Sequence, residues 1–184
     1  MVQRENCLVC QIAGSKIPSK KVYEDEQTVA VLDVNGANPG HCFIFPKNHY
    51  PIIEQVPDDE IGKMFQLSNK ISAAIFEALK CQGTNIFVAN GTSAGQTAAH
   101  FMINIIPRNQ NDGINLQWQS KHLDEEEIST VELKLKEEIQ KIGTVQYNDA
   151  SKKIKKEKSE SENGDARFSS REKASILRQM TRMP

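Results

Sequence analysis

Apolar and polar residues alternate along the first third of the chain. Residues 21–35, KVYEDEQTVAVLDVN, contain two such runs around an acidic turn, and residues 41–49, HCFIFPKNH, contain a third that stops at Pro46. Alternation of this kind is typical of half-buried β-strands, and clusters of glycine, proline and asparagine mark turns. The pattern therefore predicts a hairpin that is followed by a third strand.

The period changes after Val56. Between Ile61 and Leu79 apolar residues recur at steps of three and four, which predicts one long amphipathic helix that begins after Pro57 and ends just before Gly83. Alternating runs at 84–90 and 98–108 predict two more strands, and 124–142 has the pattern of a second helix. Elements in this order favour an α+β fold with an antiparallel sheet, one long helix and a C-terminal helix.

The composition changes near Gly143. Residues 1–142 hold nearly all of the large apolar residues, whereas residues 144–184 hold ten Lys and Arg and six Asp and Glu. Such a segment does not bury enough surface to offset the entropy lost on ordering, so we expect a folded domain over 1–142 and a charged, disordered tail over 143–184. The tail is either a solvated extension or a contact for an anionic partner, and its last stretch, 169–184, has the pattern of a short helix.

The net charge and the hydropathy of the chain argue against a nucleic-acid-binding, a membrane-spanning or a secreted protein. The net charge is −1 over 184 residues, so no basic field favours nucleic acid as a partner. No run approaches the ~18 apolar residues of a membrane span, and the first residues lack the apolar centre of a secretory signal. We therefore expect a cytoplasmic protein without membrane contact, whose four cysteines are thiols or metal ligands rather than disulfides.

Cys7 and Cys10 form a CxxC motif before the first strand. Two thiolates at this spacing can bind one metal ion from a single turn, but zinc takes four ligands and the sequence has no second pair of this kind. A redox pair, or two unrelated core cysteines, would produce the same pattern. The residues alone leave these interpretations open.

The stretch 95–108, GQTAAHFMINIIPR, sorts by strand period into two faces. One face is an apolar core stripe: Phe101, Ile103 and Ile105. The other face holds the remaining members: His100, Met102, Asn104 and Ile106. The preceding loop, NGTSAGQ at 90–96, is rich enough in glycine for backbone amides to approach a phosphate, but it lacks the lysine of a P-loop and equally fits a plain hairpin loop.

Three blocks of the sequence together resemble the histidine-triad (HIT) family of nucleotidyl hydrolases and transferases. They lie in register over roughly residues 5–110: CLVCQIAGSKIPSKKVYEDE at 7–26, VLDVNGANPGHCFIFPKNHY at 31–50 and NGTSAGQTAAHFMINIIPR at 90–108. The resemblance implies a HIT-like antiparallel sheet with a long helix. It also implies a homodimer, because members of the family usually dimerise through helix and strand.

The family performs its chemistry with a strand reading His-φ-His-φ-His-φ-φ, in which φ is apolar and the middle histidine attacks the α-phosphate of a nucleotide. The resemblance aligns His100 with the first histidine, Met102 with the nucleophile and Asn104 with the third. A thioether is a poor nucleophile at phosphorus, and an amide does not titrate. We therefore expect a nucleotide-binding protein in which the nucleotidyl-histidine chemistry is lost or strongly impaired. His41, which matches an additional active-site histidine of the family, is the remaining candidate for catalysis.

The resemblance also implies two sets of ligand-binding residues. In members with an N-terminal CxxC motif a structural zinc is held by positions that correspond here to Cys7, Cys10, His49 and His100. A purine nucleotide or a related phosphate compound would be held by Asp33 at the ribose hydroxyls, by Val34 against the base or ribose, and by three residues at the phosphates: Asn90, Gln96 and Thr97.

Two alternatives to a catalytically impaired binder remain at this point. One is a slow hydrolase of nucleotide phosphoramidates or dinucleoside polyphosphates that uses His41 or a metal-bound water. The other is an interaction scaffold that binds no ligand and whose charged tail is the functional part.

Overall fold

A computed structural model describes residues 4–143 of the chain. The division between two compact units falls between Trp118 and Gln119. The predicted tail lies outside the described residues, apart from Gly143, and the domain boundary near residue 142 stays a prediction. Within the described residues no helix combines the length and the hydropathy that crossing a membrane requires.

The first unit contains a five-stranded antiparallel sheet. Its strands are β1 (Lys21–Glu24), β2 (Thr28–Leu32), β3 (Cys42–Pro46), β4 (Gly83–Phe87) and β5 (Ile103–Arg108). Their order across the sheet is β1-β2-β3-β5-β4, and each neighbouring pair is antiparallel. The predicted hairpin, the third strand and the α+β class are confirmed.

The described residues contain three α-helices: α1 (Leu8–Ala13) and α2 (Asp58–Leu79) in the first unit, and α3 (Glu125–Ile142) in the second. The long helix α2 begins after Pro57, as predicted, and has three acidic residues in its first turn, where they stabilise the positive end of the helix dipole. The helix α3 of the second unit is capped by the Asp124 side chain, which accepts a hydrogen bond from the backbone N–H of Glu127 at 2.8 Å. Helix α1 was not predicted.

The prediction that α2 ends just before Gly83 was wrong. The helix ends at Leu79, and Lys80 takes the left-handed conformation with φ 52° while its N–H bonds the carbonyl of Phe76. Gly83 is instead the first residue of β4. A left-handed lysine is strained by roughly 1 kcal/mol, a cost that the backbone hydrogen bond offsets.

The central strands are buried on both faces, and alternate residues point to different layers. One layer packs against α2. It contains four residues of the strands (Ala30, Ile44, Ile103 and Ile105) and two residues of the helix (Met64 and Ile75). The opposite layer joins residues of β2 and β3 to the N-terminal segment: Val29, Val31, Phe45, Cys7 and Val9. The predicted apolar stripe of Phe101, Ile103 and Ile105 lies in the first layer, so its assignment to the core is confirmed.

Strand β5 begins at Ile103, five residues later than the pattern predicted. Its pairing with β3 runs from Cys42–Ile105 to Ile44–Ile103 and stops there. Pro46 at the end of β3 has no N–H with which to extend the ladder, and its carbonyl accepts from the ring of His100 instead. His100 and Met102 therefore lie in the segment that leads into the strand.

Candidate functional site

Cys7, Cys10, His49 and His100 come together although they lie up to 93 residues apart in the chain. Cys7 occupies the N-cap position of α1 and Cys10 lies one turn later, so this short helix supplies both sulfurs from one side. His49 follows β3 and His100 precedes β5. One ligand atom from each of the four residues lies within 4.8 Å of all the others. The cluster can therefore hold a metal ion.

The distances within this cluster match a tetrahedral metal site. The Sγ of Cys10 lies 3.3 Å from Nδ1 of His49 and 3.5 Å from Nδ1 of His100, and the Sγ of Cys7 lies 3.6 Å from the latter atom. Bonds of about 2.3 Å to sulfur and about 2.0–2.1 Å to nitrogen give a sulfur–nitrogen edge of about 3.6 Å in a regular tetrahedron. The donor set and its spacing fit a closed structural site of the Cys₂His₂ type.

The environment of His100 prepares the ring for metal binding. Its Nε2 lies 3.0 Å from the carbonyl oxygen of Pro46, which can only accept, so Nε2 carries the proton and Nδ1 is free to bind a metal ion. The side chain is fully buried, and burial lowers the pKa of His100 to about 4. The ring is therefore neutral at neutral pH, which is the form that ligates metals.

A separate cavity of about 220 Å³ lies beside β3, β4 and β5. Its lining contains Met102 and Asn104, which replace the second and third histidines of the family. It also contains the candidate catalytic residue His41 and two of the predicted nucleotide contacts, Gln96 and Thr97. The described lining residues are His41, Phe43, Phe87, Ala89, Gly95, Gln96, Thr97, His100, Met102 and Asn104. His100 thus belongs to the metal cluster and also to the wall of this cavity.

Both ring nitrogens of His41 are engaged. The backbone N–H of Ala37 donates to Nδ1 at 3.2 Å, so the neutral ring carries its proton on Nε2, which donates to Oδ1 of Asn104 at 3.3 Å. Oδ2 of Asp33 lies 3.6 Å from Nδ1. The loop approaches this closely because residue 36 is a glycine, where a Cβ would lie 2.8 Å from the Cβ of His41.

Gln96 and Asn90 hold backbone segments together. Oε1 of Gln96 accepts from the N–H of Gly91 at 2.7 Å, while Nε2 donates to the carbonyls of Pro51 at 2.7 Å and Ala98 at 2.8 Å. Oδ1 of Asn90 accepts from the N–H of Ile53 at 3.0 Å, and Nδ2 donates to Glu54 at 2.8 Å. These contacts fix the shape of the loop that carries the cavity wall.

The other predicted nucleotide contacts differ in their placement. Thr97 is exposed and lines the cavity. Asp33 is half-buried beside His41, where its Oδ1 accepts from the N–H of Asn35 at 2.9 Å. Val34 is 85% exposed, so its side chain is available for contact with a ligand but is not packed against the sheet.

The aromatic walls of the cavity were not predicted from the sequence. Phe43 pairs with Asn104 across β3 and β5, and Phe87 pairs with Asn104 across β4 and β5. The alternation in both strands was visible, but which strand lies beside which is a property of the tertiary fold. With the pairing known, both phenylalanines lie on the face that carries Asn104.

Among its described lining residues the cavity offers no histidine or cysteine that is free to act as a nucleophile. His41 and His100 are its titratable side chains, and each uses both nitrogens within the protein. Met102 provides a thioether and Asn104 an amide. The arrangement can bind and orient a ligand through hydrogen bonds and apolar contact.

The chain matches a known family and several solved structures. A model of the HIT domain matches residues 14–111. An uncharacterized HIT-like protein of Methanocaldococcus jannaschii is 37% identical over 123 residues, which are 66% of this chain and 95% of that protein. An adenylylsulfatase of Arabidopsis thaliana is 37% identical over 120 residues, which are 65% of this chain and 59% of that protein.

Two solved structures share the fold. A member of the HIT family from Bacillus subtilis has a TM-score of 0.69 at 31% identity, over 73% of this chain and 97% of that chain. A Zn-bound histidine triad family protein from Mycobacterium smegmatis has a TM-score of 0.59 at 27% identity, over 65% of this chain and 86% of that chain. The HIT-like fold expected from the three sequence blocks is confirmed, and the chain belongs to the HIT family.

Proposed function

We propose that this protein binds a purine nucleotide or a related phosphate compound in the cavity beside β5 and does not process it by the nucleotidyl-histidine route. The observation that carries the proposal is the joint placement of Met102 and Asn104 in a cavity that is otherwise formed. The position that would attack phosphorus holds a thioether, while aromatic walls and a braced loop around Gln96 are present. A related Arabidopsis thaliana protein is named an adenylylsulfatase, which supports a nucleotide-type ligand.

We further propose that the metal in the Cys₂His₂ cluster is zinc. Two thiolates and two imidazoles are ligands that zinc prefers, and a histidine triad family protein from Mycobacterium smegmatis is described as Zn-bound. In a closed site of this kind the metal supplies structural crosslinking. The residues themselves anchor α1 and the segment that enters β5, so they hold His100 and the adjoining cavity wall in place.

A second candidate function is a slow nucleotide hydrolase that uses His41 as a base. One observation favours it, because Asp33 lies 3.6 Å from Nδ1 of His41 and carboxylate–histidine pairs often activate water. The hydrogen bonds of His41 to Ala37 and Asn104 weigh against it, since the base would have to release one of them. Under this alternative, turnover collapses in His41→Ala.

We also propose a homodimer through α2 and β4. The outer edge of β4 is unpaired among the described residues, and exposed strand edges are ready to pair with another chain. Large apolar side chains on the two elements are 39–47% exposed: Phe76, Leu79 and Ile86. Such a surface is typical of an interface between protein chains.

Single-turnover assays with adenosine and guanosine phosphoramidates test the proposal. We compare the metal-loaded wild type with Met102→His/Asn104→His, and with Asn104→His as the matched single variant. We expect an inert wild type and measurable turnover only in the double variant, because it alone restores a nucleophile at position 102. Turnover by the wild type well above the rate in buffer would contradict the proposal and favour His41. Inertness of all variants together with absent binding would favour the scaffold.

A further inference from the structure

We propose that the cavity selects nucleotides whose 5′-phosphorus group carries one negative charge and discriminates against the dianion of a nucleoside 5′-monophosphate. Phosphodiesters, phosphoramidates and mixed anhydrides have a singly charged group of this kind. The inference rests on the proposed nucleotide-binding function and adds the charge state of the ligand to it. It follows from the charges and donors that face the cavity.

Within residues 4–143, no cationic side chain with a fixed charge lines the cavity. None of the described residues that line it is a lysine or an arginine. Phe43 and Phe87 contribute aromatic rings, whose faces are electronegative. An anion in this cavity therefore loses hydration without gaining a lysine or arginine partner, and that cost rises steeply with its charge.

The histidines do not supply the missing positive charge. His100 directs neither ring nitrogen at a ligand, since Nε2 donates to the carbonyl oxygen of Pro46 and Nδ1 faces the cysteine sulfurs. His41 lies beside Asp33, with 3.6 Å between Nδ1 and Oδ2. The Asp33 carboxylate offsets any positive charge on the adjacent ring, so the pair does not attract an anion by its net charge.

The remaining donors are neutral. Oδ1 of Asn104 accepts from His41, which orients the amide so that Nδ2 is left to donate to a ligand. The hydroxyl of Thr97 is exposed at the rim. A few neutral donors can satisfy the oxygens of a monoanion, whereas a second charge would need compensation that the lining does not offer.

The test compares AMP with its methyl phosphodiester, which has the same base and ribose but one charge at every pH used. Dissociation constants are measured by calorimetry at pH 8 and pH 5.5 with the metal-loaded full chain, and the metal content is checked at both pH values. The second pKa of a phosphate monoester is about 6, so AMP is a dianion at pH 8 and mainly a monoanion at pH 5.5. We expect the methyl ester to bind about tenfold more tightly than AMP at pH 8, a difference of about 1.4 kcal/mol.

The pH dependence separates the charge of the ligand from that of the protein. We expect AMP to approach the affinity of its methyl ester at pH 5.5, whereas the affinity of the ester changes little. An equal strengthening of both ligands on acidification would instead indicate a change in the charge of the protein rather than of the ligand, and would overturn the inference. Equal affinity of the two ligands at pH 8 would also overturn it while leaving the proposed function intact. Absence of binding by both ligands would overturn the proposed function and the inference together.

A pair of lysine variants places the effect in the cavity. Thr97→Lys adds a cation at the rim, and Thr92→Lys adds the same charge to an exposed position of the same loop outside the lining. We expect the preference for the methyl ester to fall several-fold in Thr97→Lys and to persist in Thr92→Lys. A preference that persists undiminished in Thr97→Lys would contradict a charge-based cause.

Discussion

His100 donates its Nε2 proton to the carbonyl oxygen of Pro46 at 3.0 Å, and this single contact orients the metal cluster. This hydrogen bond fixes the proton on Nε2 and turns Nδ1 toward the sulfurs of Cys7 and Cys10. Its acceptor is the carbonyl oxygen of Pro46, the last residue of β3. The residue that ends the strand ladder thereby becomes an outer support of the metal ligand. The same histidine forms part of the cavity wall, so the Cys₂His₂ cluster and the cavity share a residue.

Cys10→Ser tests the metal centre. We expect its zinc content to fall below one ion per two chains, whereas wild type purified without chelator holds about one ion per chain. Because structural metal binding contributes to folding, we also expect the melting temperature to fall by more than about 5 °C without any nucleotide present. Metal analysis and thermal unfolding measure the two effects.

Cys42→Ser is the matched control for the metal centre. Cys42 is buried, it donates to the carbonyl of Gly40, and burial raises the pKa of its thiol to about 11, so it is a neutral core side chain outside the cluster. We expect this variant to keep its zinc even where packing is weakened. Equal zinc content in Cys10→Ser and wild type would show that the cluster is not the binding site.

Gln96→Glu tests the brace of the cavity loop. The new carboxylate would still accept from the N–H of Gly91 but would face the carbonyls of Pro51 and Ala98, to which Gln96 now donates. Loss of these hydrogen bonds is expected to cost about 1–3 kcal/mol of unfolding free energy and to weaken nucleotide binding. Denaturant unfolding checks the first effect, with exposed Gln66→Glu as the control for the charge change. Unchanged stability would contradict the structural role of Gln96.

Phe76→Glu tests the proposed dimer. Phe76 is 40% exposed on α2, and a carboxylate in an apolar interface would cost several kcal/mol if it were buried there. Sedimentation equilibrium should show a dimer for wild type and a shift to monomer for the variant. Val22→Glu, on the opposite edge strand, is expected to stay dimeric. A monomeric wild type would refute the dimer directly.

Asp112→Asn tests an ion pair after β5. Arg108 bonds both oxygens of Asp112, at 2.6 and 2.8 Å, and holds the pKa of that carboxyl well below its usual range. A lowered pKa in the folded state stabilises the fold above the unfolded value near 4 and stops doing so as pH falls through the acid range. We therefore expect the variant to melt several degrees lower than wild type at pH 7, and the gap to narrow toward pH 2.

The exposed ion pair of Glu77 with Lys80 provides the comparison for Asp112. Because exposed ion pairs contribute about 0–1 kcal/mol, Glu77→Gln should change the melting temperature little at any pH. A gap between wild type and Asp112→Asn that is constant from pH 7 to pH 2 would argue that packing, rather than the carboxylate charge, explains the loss.

Local patterns were sufficient for most of the fold. Alternation located β1 to β4, and the three- and four-residue period located α2 and α3, because each pattern reflects burial on one face of its own element. The observed end of α2 and the observed start of β5 differ from the predicted positions, for reasons that the local pattern does not contain. Lys80 adopts a left-handed conformation where a glycine was expected, and Pro46 on a neighbouring strand stops the ladder before the start predicted for β5.

The residues of the candidate site were predicted because three sequence blocks resemble the HIT family. The four metal-cluster residues named on that basis do converge in the structure, yet Cys7 and His100 are 93 residues apart and no local rule joins them. The hydrogen bonds of Gln96 and the contact of Asn104 with both phenylalanine-bearing strands depend on the packed loops and the strand order. A single sequence does not specify either of these.

Equilibrium dialysis of the metal-loaded full chain against adenosine 5′-phosphoramidate, followed by chromatography of the bound fraction, shows whether the cavity binds a nucleotide without processing it. We expect saturable binding and recovery of the phosphoramidate intact, because Met102 aligns with the nucleophile of the family. Recovery of AMP or of a nucleotidylated chain would contradict the claim that the catalyst is lost. Absence of saturable binding would contradict the claim that the cavity is a nucleotide site.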